Sequence, residues 1–148
     1  MLKGIHPLLH ADLLHVLASM GHGDELVIAD ASFPAASVGK RLIQLPTPTS
    51  TAALEAILTL FPIDSAATLA AITMKVPGDA PDLIGPTREL TAVLSRNVPP
   101  VTMGSLERHE FYVRARNAYA VVRTAELRRF ANILLVKGLV NRYPYGPA

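Results

Sequence analysis

The sequence contains no cysteine, and only 5% of its 148 residues are aromatic. Without cysteine there can be no disulfides and no thiolate metal sites, and the chain is compatible with a reducing compartment. No hydrophobic run approaches the roughly 20 residues that a membrane-spanning helix needs. The N-terminus shows no basic segment followed by an apolar one, as a secretory signal would. We therefore expect a cytoplasmic protein with no membrane partner.

An excess of charge is also missing. The 14 basic and 12 acidic residues leave a net charge of +2, which is too small to indicate a nucleic-acid partner. Half of the residues are hydrophobic, so the chain can form the core of one domain. A mean hydropathy of +0.31 with so few aromatics favours a homo-oligomer that buries further apolar surface. An ordinary alanine-rich monomer is the alternative.

Common catalytic and nucleotide-binding motifs are absent. The glycines form neither G-x-G-x-x-G nor a Walker pattern, and there is no G-x-S-x-G of a hydrolase. The five histidines lack paired carboxylates at ligand spacing. His6, His10 and His15 could still lie close together around the first helix. We expect neither a metal nor an organic cofactor.

Short apolar strands alternate with amphipathic helices, which is typical of an α/β fold with a largely parallel sheet. The patterns predict helices over 7–20, 51–61, 86–94 and 106–116, strands over 25–29, 41–45, 68–76, 118–123 and 133–136, an extended piece over 101–104 and a loop over 33–39. Ser50 or Thr51 is predicted to cap the second helix, and Ser105 the fourth. Only about nine residues join the last two strands, too few for a parallel crossover, so we expect an antiparallel element there.

The segment from Met20 to Ala35 contains the strongest candidate for chemistry. His22 lies between two glycines, where the backbone can turn sharply and a ligand can approach closely. Its reference pKa of roughly 6.5 suits acid–base catalysis near neutrality. The alternative is a histidine at a helix C-terminus that interacts only with the helix dipole.

Other polar residues are candidates for ligand binding. Asp30 ends the first strand, at the edge where open α/β sheets bind ligands, although an Asx turn would also explain it. Arg108 and Tyr112 share one helix face and can point together into a cleft, or they belong to a solvated charged helix. Asn132 opens the last strand, where its amide could cap the strand or contact a ligand.

The spacing of His22 and Asp30 bears on how a site could form. About five of the intervening residues are extended, at roughly 3.3 Å each, which separates the two backbones by about 15 Å. One small ligand could hardly contact both in one chain. A site shared between neighbouring subunits is the hypothesis that follows.

Four segments resemble the family of fucose mutarotases and ribose pyranases, and the resemblance extends over about residues 1–140. They are Met-Gly-His-Gly-Asp-Glu at 20–25, Ala-Asp-Ala-x-Phe-Pro-Ala at 29–35, Arg-x-x-Phe-Tyr-x-Arg-Ala at 108–115 and Asn-Ile-Leu-Leu-x-Lys-Gly at 132–138. The third segment resembles the fucose branch, because the ribose branch has histidine and lysine at the positions of Arg108 and Tyr112. Residues 141–148, with two prolines and a glycine, are interpreted as a C-terminal tail outside the resemblance.

The resemblance implies a three-layer α/β/α fold with a mostly parallel mixed sheet, assembled as a decamer of two pentameric rings with sites at subunit contacts. It implies that His22 is the proton donor and that Asp30 and Arg108 bind the sugar. It also implies sugar contacts from Phe130, Ala131 and Asn132. In the ring-opening reaction described below, we expect a further polar contact from Tyr112. The sequence departs from the family at Phe130, where a tyrosine is usual, and at Ala125, where a glycine is usual.

The function that the resemblance implies is interconversion of the α and β anomers of a free monosaccharide, L-fucose or a related aldose. Acid–base opening and closing of the sugar ring needs no cofactor. The alternatives are a non-catalytic monosaccharide-binding accessory protein of a sugar transport or catabolic system, a pyranase acting on D-ribose, and a purely structural ring protein.

Overall fold

The computed structural model describes residues 1–140, in which helices and strands alternate along the chain. The elements in chain order are α1 (Ala11–Ser19), β1 (Glu25–Ala29), α2 (Ala35–Val38), β2 (Leu42–Gln44), α3 (Ser50–Leu58), β3 (Ala71–Met74), α4 (Gly85–Leu94), β4 (Met103–Leu106), α5 (Arg108–Asn117), β5 (Ala120–Arg123) and β6 (Ile133–Val136), with a 3₁₀ turn over Pro77–Asp79. No helix within residues 1–140 is long and apolar enough to cross a membrane. The predicted tail lies outside the described residues.

The six strands form one mixed sheet in the order β2-β5-β1-β6-β3-β4. Every neighbouring pair is parallel except the two that involve β6, which runs antiparallel to β1 and β3. The expected antiparallel element after β5 is therefore confirmed. Five strands end at one edge, called here the carboxyl edge, and β6 begins there. The opposite edge is called the amino edge.

The alternation of side chains along β1 explains the three layers. Leu26 and Ile28 face one side of the sheet and pack in a core that includes residues of α1, α3 and α4. Val27 and Ala29 face the other side and pack with residues of α2 and α5. Both cores are built from buried, mostly aliphatic side chains, and the predicted three-layer α/β fold is confirmed.

The structure corrects two helix boundaries. The first helix begins at Ala11 rather than at residue 7, because the His10 ring accepts the Leu13 N–H and acts as its N-cap. The second is capped by Thr49, whose hydroxyl accepts the Ala52 N–H, and neither Ser50 nor Thr51 takes that role. In both cases a residue just outside the apolar pattern satisfies a free amide and sets the start of the helix.

Two further segments differ from expectation. The predicted loop over 33–39 contains the short helix α2, which buries Ala35 and Val38. Ser105 lies inside β4 instead of capping a helix. The cap of α5 is Glu107, whose carboxylate accepts the His109 N–H at 2.8 Å. As a result Arg108, the first residue of α5, lies directly at the carboxyl edge.

Gly138 allows two backbone segments to approach closely at the amino edge. Its N–H donates to the Pro62 carbonyl at 2.8 Å, and a Cβ added here would lie 2.7 Å from the Ile63 carbonyl oxygen and 2.8 Å from the Asp64 Cα. These neighbours are backbone atoms, which cannot rotate away.

We predict that Gly138→Ala lowers the free energy of unfolding by roughly 1–3 kcal/mol, the usual cost of forcing extra volume into a packed site. Urea unfolding at one fixed protein concentration measures the loss. Gly85→Ala is the matched control, because no atom lies within 4 Å of a Cβ added there. Equal stability of the two variants would contradict the prediction.

Candidate functional site

A cleft opens at the carboxyl edge, where the ends of several strands converge. It has a volume of about 210 Å³. It is called here the Asp30 cleft, and its lining residues are Asp30, Ser32, Phe33, Met74, Arg108, Tyr112, Arg129, Phe130 and Asn132. Five of the seven predicted site residues thus line one cleft, which is smaller than the roughly 300–1,000 Å³ of sites for drug-sized ligands.

Strand directions explain why residues distant in sequence meet here. Asp30 directly follows β1, and Arg108 follows β4 by one residue. Asn132 directly precedes β6, which enters the sheet from the same edge because it is antiparallel. The cleft therefore lies where open α/β sheets usually bind ligands.

Asp30 is only 3% exposed and is held by the backbone around it. Its Oδ1 accepts the N–H groups of Ser32 at 3.0 Å and Phe33 at 2.9 Å, which is the Asx turn considered as its alternative role. Its own N–H donates to the side-chain oxygen of Asn132 at 2.8 Å. The Asp30 carboxylate therefore forms the Asx turn and also lines the cleft.

The electrostatic state of Asp30 reflects this burial. Burial raises its pKa above the ordinary aspartate value, since the charged form loses water. Hydrogen bonds from the Ser32, Phe33 and Ala131 N–H groups and the Asn132 side chain act in the opposite direction without cancelling the rise. Ala131 does not line the cleft and contributes through its backbone.

Arg108 and Tyr112 lie one turn apart on α5 and both line the cleft, as their spacing predicts. The Tyr112 ring packs edge-to-face against Phe33, with the ring centroids 5.4 Å apart. Phe33 in turn packs against the buried Phe111 at 6.0 Å. These aromatic contacts fix α5 against the segment that follows Asp30.

Phe130 has a left-handed backbone, with φ of +63°, which is uncommon for a residue other than glycine, asparagine or aspartate. The neighbouring Asn132 is 3% exposed, and its amide nitrogen lies 3.7 Å from the Met74 sulfur. Met74 ends β3, so the preference of ligands for the carboxyl ends of strands could have identified it from the sequence. Ser32, Phe33 and Arg129 are the other cleft residues that the sequence reasoning missed.

His22 lies at the amino edge, away from the Asp30 cleft. Its loop is tied down by the Gly21 N–H, which donates to the Asp24 carboxylate at 2.7 Å, and by the Gly23 N–H, which donates to the Lys137 carbonyl at 2.8 Å. Gly23 has φ of +85°, so the turn requires a glycine here.

The cation at the end of α1 is Lys137 rather than His22. The Lys137 ammonium donates to the carbonyls of Leu17 at 2.7 Å and Met20 at 2.5 Å, the last carbonyls of the helix. It thus satisfies the helix terminus and complements its dipole. This contact leaves the His22 ring available for another partner.

That partner is Asp64, which the sequence reasoning missed. The His22 Nε2 lies 3.1 Å from the Asp64 Oδ2, and the Ala66 N–H donates to Oδ1 at 2.9 Å. The Ala66 hydrogen bond lowers the pKa of Asp64, and the contact with His22 lowers it further, against a smaller opposing effect of burial. Because an ionised carboxylate only accepts, the Nε2 atom carries the proton of this hydrogen bond.

No local signal in the sequence joins Asp64 to His22, since the two are 42 positions apart. Backbone pairing brings them together, because the Asp64 N–H donates to the carbonyl of Val136, the last residue of β6. An open groove of about 730 Å³ borders both residues. The His22 side chain is 49% exposed and that of Asp64 is 15% exposed.

The structure therefore places the predicted site residues in two separate groups, at opposite edges of one sheet. His22 belongs to the amino edge, and Asp30, Arg108 and Asn132 belong to the carboxyl edge. No group of three His, Asp or Glu side chains within residues 1–140 has the geometry to hold a metal ion.

Comparison with known proteins identifies close relatives. The model of the RbsD / FucU transport protein family matches residues 3–140. An L-fucose mutarotase of Haemophilus influenzae is 46% identical over 140 residues, which cover 94% of this chain and 97% of that protein.

Solved structures give the same result. The fucose mutarotase of Streptococcus pneumoniae, in complex with L-fucose, is 38% identical with a TM-score of 0.82 and covers 94% of this chain and 99% of its own. The Bacillus subtilis RbsD, complexed with D-ribose, is 26% identical with a TM-score of 0.73 and covers 95% and 99%.

The raised pKa of Asp30 predicts a pH-dependent effect of Asp30→Asn on stability. Folded Asp30 holds its proton more tightly than in the unfolded chain, so the wild type loses stability as pH rises from about 4 to the folded pKa. Asparagine keeps an oxygen for the Ser32 and Phe33 N–H groups and does not titrate. The unfolding free energy of the variant minus that of wild type should therefore increase over this pH window and level off above it.

Urea unfolding at a series of pH values and one protein concentration measures this difference. Asp82→Asn, at an exposed position, controls for the loss of one negative charge. A difference for Asp30→Asn that falls with pH, or that matches the Asp82→Asn control, would refute the prediction.

Proposed function

The chain belongs to the RbsD / FucU transport protein family, and we propose that it is a sugar mutarotase that interconverts the α and β anomers of L-fucose or a related aldose. Its similarity to proteins named L-fucose mutarotase, over nearly the whole of both chains, supports the activity. The observation that carries the proposal is the Asp30 cleft, where a carboxylate, two guanidinium groups and an amide converge at the ligand-binding edge of the sheet.

The residues of the Asp30 cleft bind the sugar in this proposal. The Asp30 carboxylate accepts hydrogen bonds from sugar hydroxyls, the Asn132 amide can accept or donate them, and Arg108 donates them. Tyr112 adds a hydroxyl, while Ala131 acts through its backbone and Phe130 through its ring. A relative complexed with L-fucose, 38% identical to this chain, supports a monosaccharide ligand.

His22 is the proposed acid and base of the reaction. Ring opening removes the proton of the anomeric hydroxyl, forms the aldehyde C=O, breaks the bond from the anomeric carbon to the ring oxygen and delivers a proton to that oxygen. After rotation of the aldehyde, the ring oxygen attacks its other face and the proton movements reverse. The Nδ1 atom of His22 can perform both transfers, while Asp64 on Nε2 holds the tautomer.

Arg108 has a second role beyond binding. Negative charge develops on the anomeric oxygen while its proton leaves, and a guanidinium within hydrogen-bond reach lowers the energy of that state. Arg108 has no ion-pair partner among the residues that the structure describes, so its charge is available to the sugar.

We propose that these two groups of residues are half-sites of one site and that they meet across a subunit contact, with His22 of one copy facing the Asp30 cleft of the next. Exposed apolar side chains flank both half-sites, as an interface requires. Leu139 and Val98 border the His22 groove, and Leu127 lies on the segment that leads to Phe130. The assembly that we propose is a decamer of two pentameric rings. We also propose that residues 1–140 are the domain that assembles and that the protein acts in the cytoplasm.

The activity is tested by NMR saturation transfer between the α and β anomeric protons of L-fucose, D-ribose and other aldoses, with and without protein. We expect faster exchange with L-fucose, and loss of most of that acceleration in His22→Ala without loss of the fold. His15→Ala is the matched control, because His15 is exposed and lines neither the His22 groove nor the Asp30 cleft.

The outcomes separate the alternatives. Acceleration of D-ribose alone would indicate a pyranase. Line broadening of a sugar without faster exchange would indicate a binding protein. Turnover of His22→Ala equal to wild type would exclude the proposed role of His22.

The shared site predicts complementation between two inactive variants. His22→Ala and Arg108→Met should each lose activity, but mixed oligomers contain contacts where an intact His22 meets an intact Asp30 cleft. Random mixing of equal amounts should restore about a quarter of wild-type activity, because each contact draws its two sides independently.

The variants are mixed in denaturant, refolded together and assayed by the same NMR exchange. Each variant refolded alone is the control. Mixed oligomers with no more activity than the two variants alone would show that each site lies within one chain.

A further inference from the structure

The segment from Thr124 to Asn132, called here the 124–132 loop, contains a guanidinium that binds two carboxylates at once. The Arg128 Nη1 and Nη2 atoms donate to the two Glu89 oxygens at 2.7 and 2.9 Å. Its Nε and Nη2 atoms donate to the two Glu126 oxygens at 3.0 and 2.9 Å. These three side chains are called here the Arg128 clamp. It joins the loop to helix α4, which carries Glu89.

The inner carboxylate of the clamp is buried. Glu126 is 3% exposed, and its Oε1 also accepts the Arg128 N–H at 3.0 Å. Burial alone would raise its pKa, but the hydrogen bonds from Arg128 and from the Ser50 N–H outweigh that effect and leave it below the ordinary glutamate value. Glu126 is therefore a buried anion whose main partner is Arg128.

The clamp is connected to the sugar-binding residues on both sides. The Glu126 carbonyl accepts the Ala31 N–H at 2.9 Å, directly beside Asp30. Two residues after Arg128, Phe130 takes its left-handed conformation, and Asn132 then bonds the Asp30 backbone. A conformation that a phenylalanine rarely adopts must be held by its surroundings.

We propose that Arg128 is a positioning residue, which through Glu126 and Glu89 holds the 124–132 loop in the conformation that presents Phe130, Ala131 and Asn132 to the sugar. This inference rests on the proposed function, since the loop binds sugar only if the Asp30 cleft does. The clamp includes neither His22 nor a residue that lines the Asp30 cleft, so it acts through the position of the loop rather than on proton transfer.

Comparison with another ion pair explains why the clamp can have this effect. Arg96 and Glu55 form a single contact of 3.3 Å with side chains 70% and 53% exposed, and such pairs contribute little. Arg128 instead makes two two-point contacts, one of them with a buried carboxylate. Its removal leaves Glu126 without its main partner, and the loop must rearrange to solvate that charge.

Arg128→Lys and Arg128→Met test the proposal, with Arg96→Lys and Arg96→Met as matched controls. Lysine keeps a positive charge opposite Glu126 but cannot bind both carboxylates at two points. We expect Arg128→Lys to raise the KM for anomer exchange by on the order of fivefold with kcat within about twofold, because sugar binding is weakened without loss of the acid–base step. Arg128→Met should raise KM further, and the Arg96 variants should leave both constants unchanged.

A second readout does not depend on activity. Hydrogen exchange of the peptide that contains Ala31, followed by mass spectrometry, should be several times faster in both Arg128 variants, since the acceptor of the Ala31 N–H moves with the loop. If Arg128→Met does not fold, Arg128→Lys decides. An unchanged KM, or a KM rise with unchanged exchange at Ala31, would overturn the proposal. If wild type accelerates no sugar, the mutarotase function fails and the exchange at Ala31 still tests the clamp.

Discussion

The antiparallel strand β6 lies between β1 and β3 in the sheet. Where β1 ends and β6 begins, the Asp30 N–H donates to the Asn132 side chain at 2.8 Å. A parallel strand in that position would begin at the other edge of the sheet, and Asn132 would lie far from Asp30. With β6 reversed, the end of β1 and the start of β6 meet, and the residues before β6 join those after β4 around one cleft. The Asp30 cleft depends on this reversal.

The reversal of β6 also separates the predicted site residues into two groups. The end of β6 leads to Lys137, which caps α1 and binds the Gly23 N–H, and so it fixes the His22 loop at the amino edge. One strand therefore positions both groups of residues, one beyond each of its ends. The proposed activity needs both groups, which is why we propose that a second copy completes the site.

Much of the fold could be predicted from the sequence, because the signals were local. The strand over 25–29 and its carboxylate followed from an apolar run that ends in a turn, and the pairing of Arg108 with Tyr112 followed from helical spacing. Asp64 could not be found in this way, because it reaches His22 through backbone pairing between distant segments. The caps Thr49 and Glu107 could not be distinguished from the nearby Ser50 and Ser105, because all four side chains carry an oxygen that can accept a backbone N–H.

The two positions at which the sequence departs from the resemblance, Ala125 and Phe130, both belong to the 124–132 loop. Two of the segments on which the resemblance rests contain instead His22 and Lys137, which lie at the amino edge. The His22 loop is joined to α1, β1 and β6 by backbone hydrogen bonds, so a change there disturbs several elements. The 124–132 loop is held by backbone hydrogen bonds, such as those from Ala31 to the Glu126 carbonyl and from Ala125 to the Thr47 carbonyl, and by the Arg128 clamp. Because this loop borders the carboxyl edge, we expect substitutions in it to act on the Asp30 cleft and to leave the His22 loop in place.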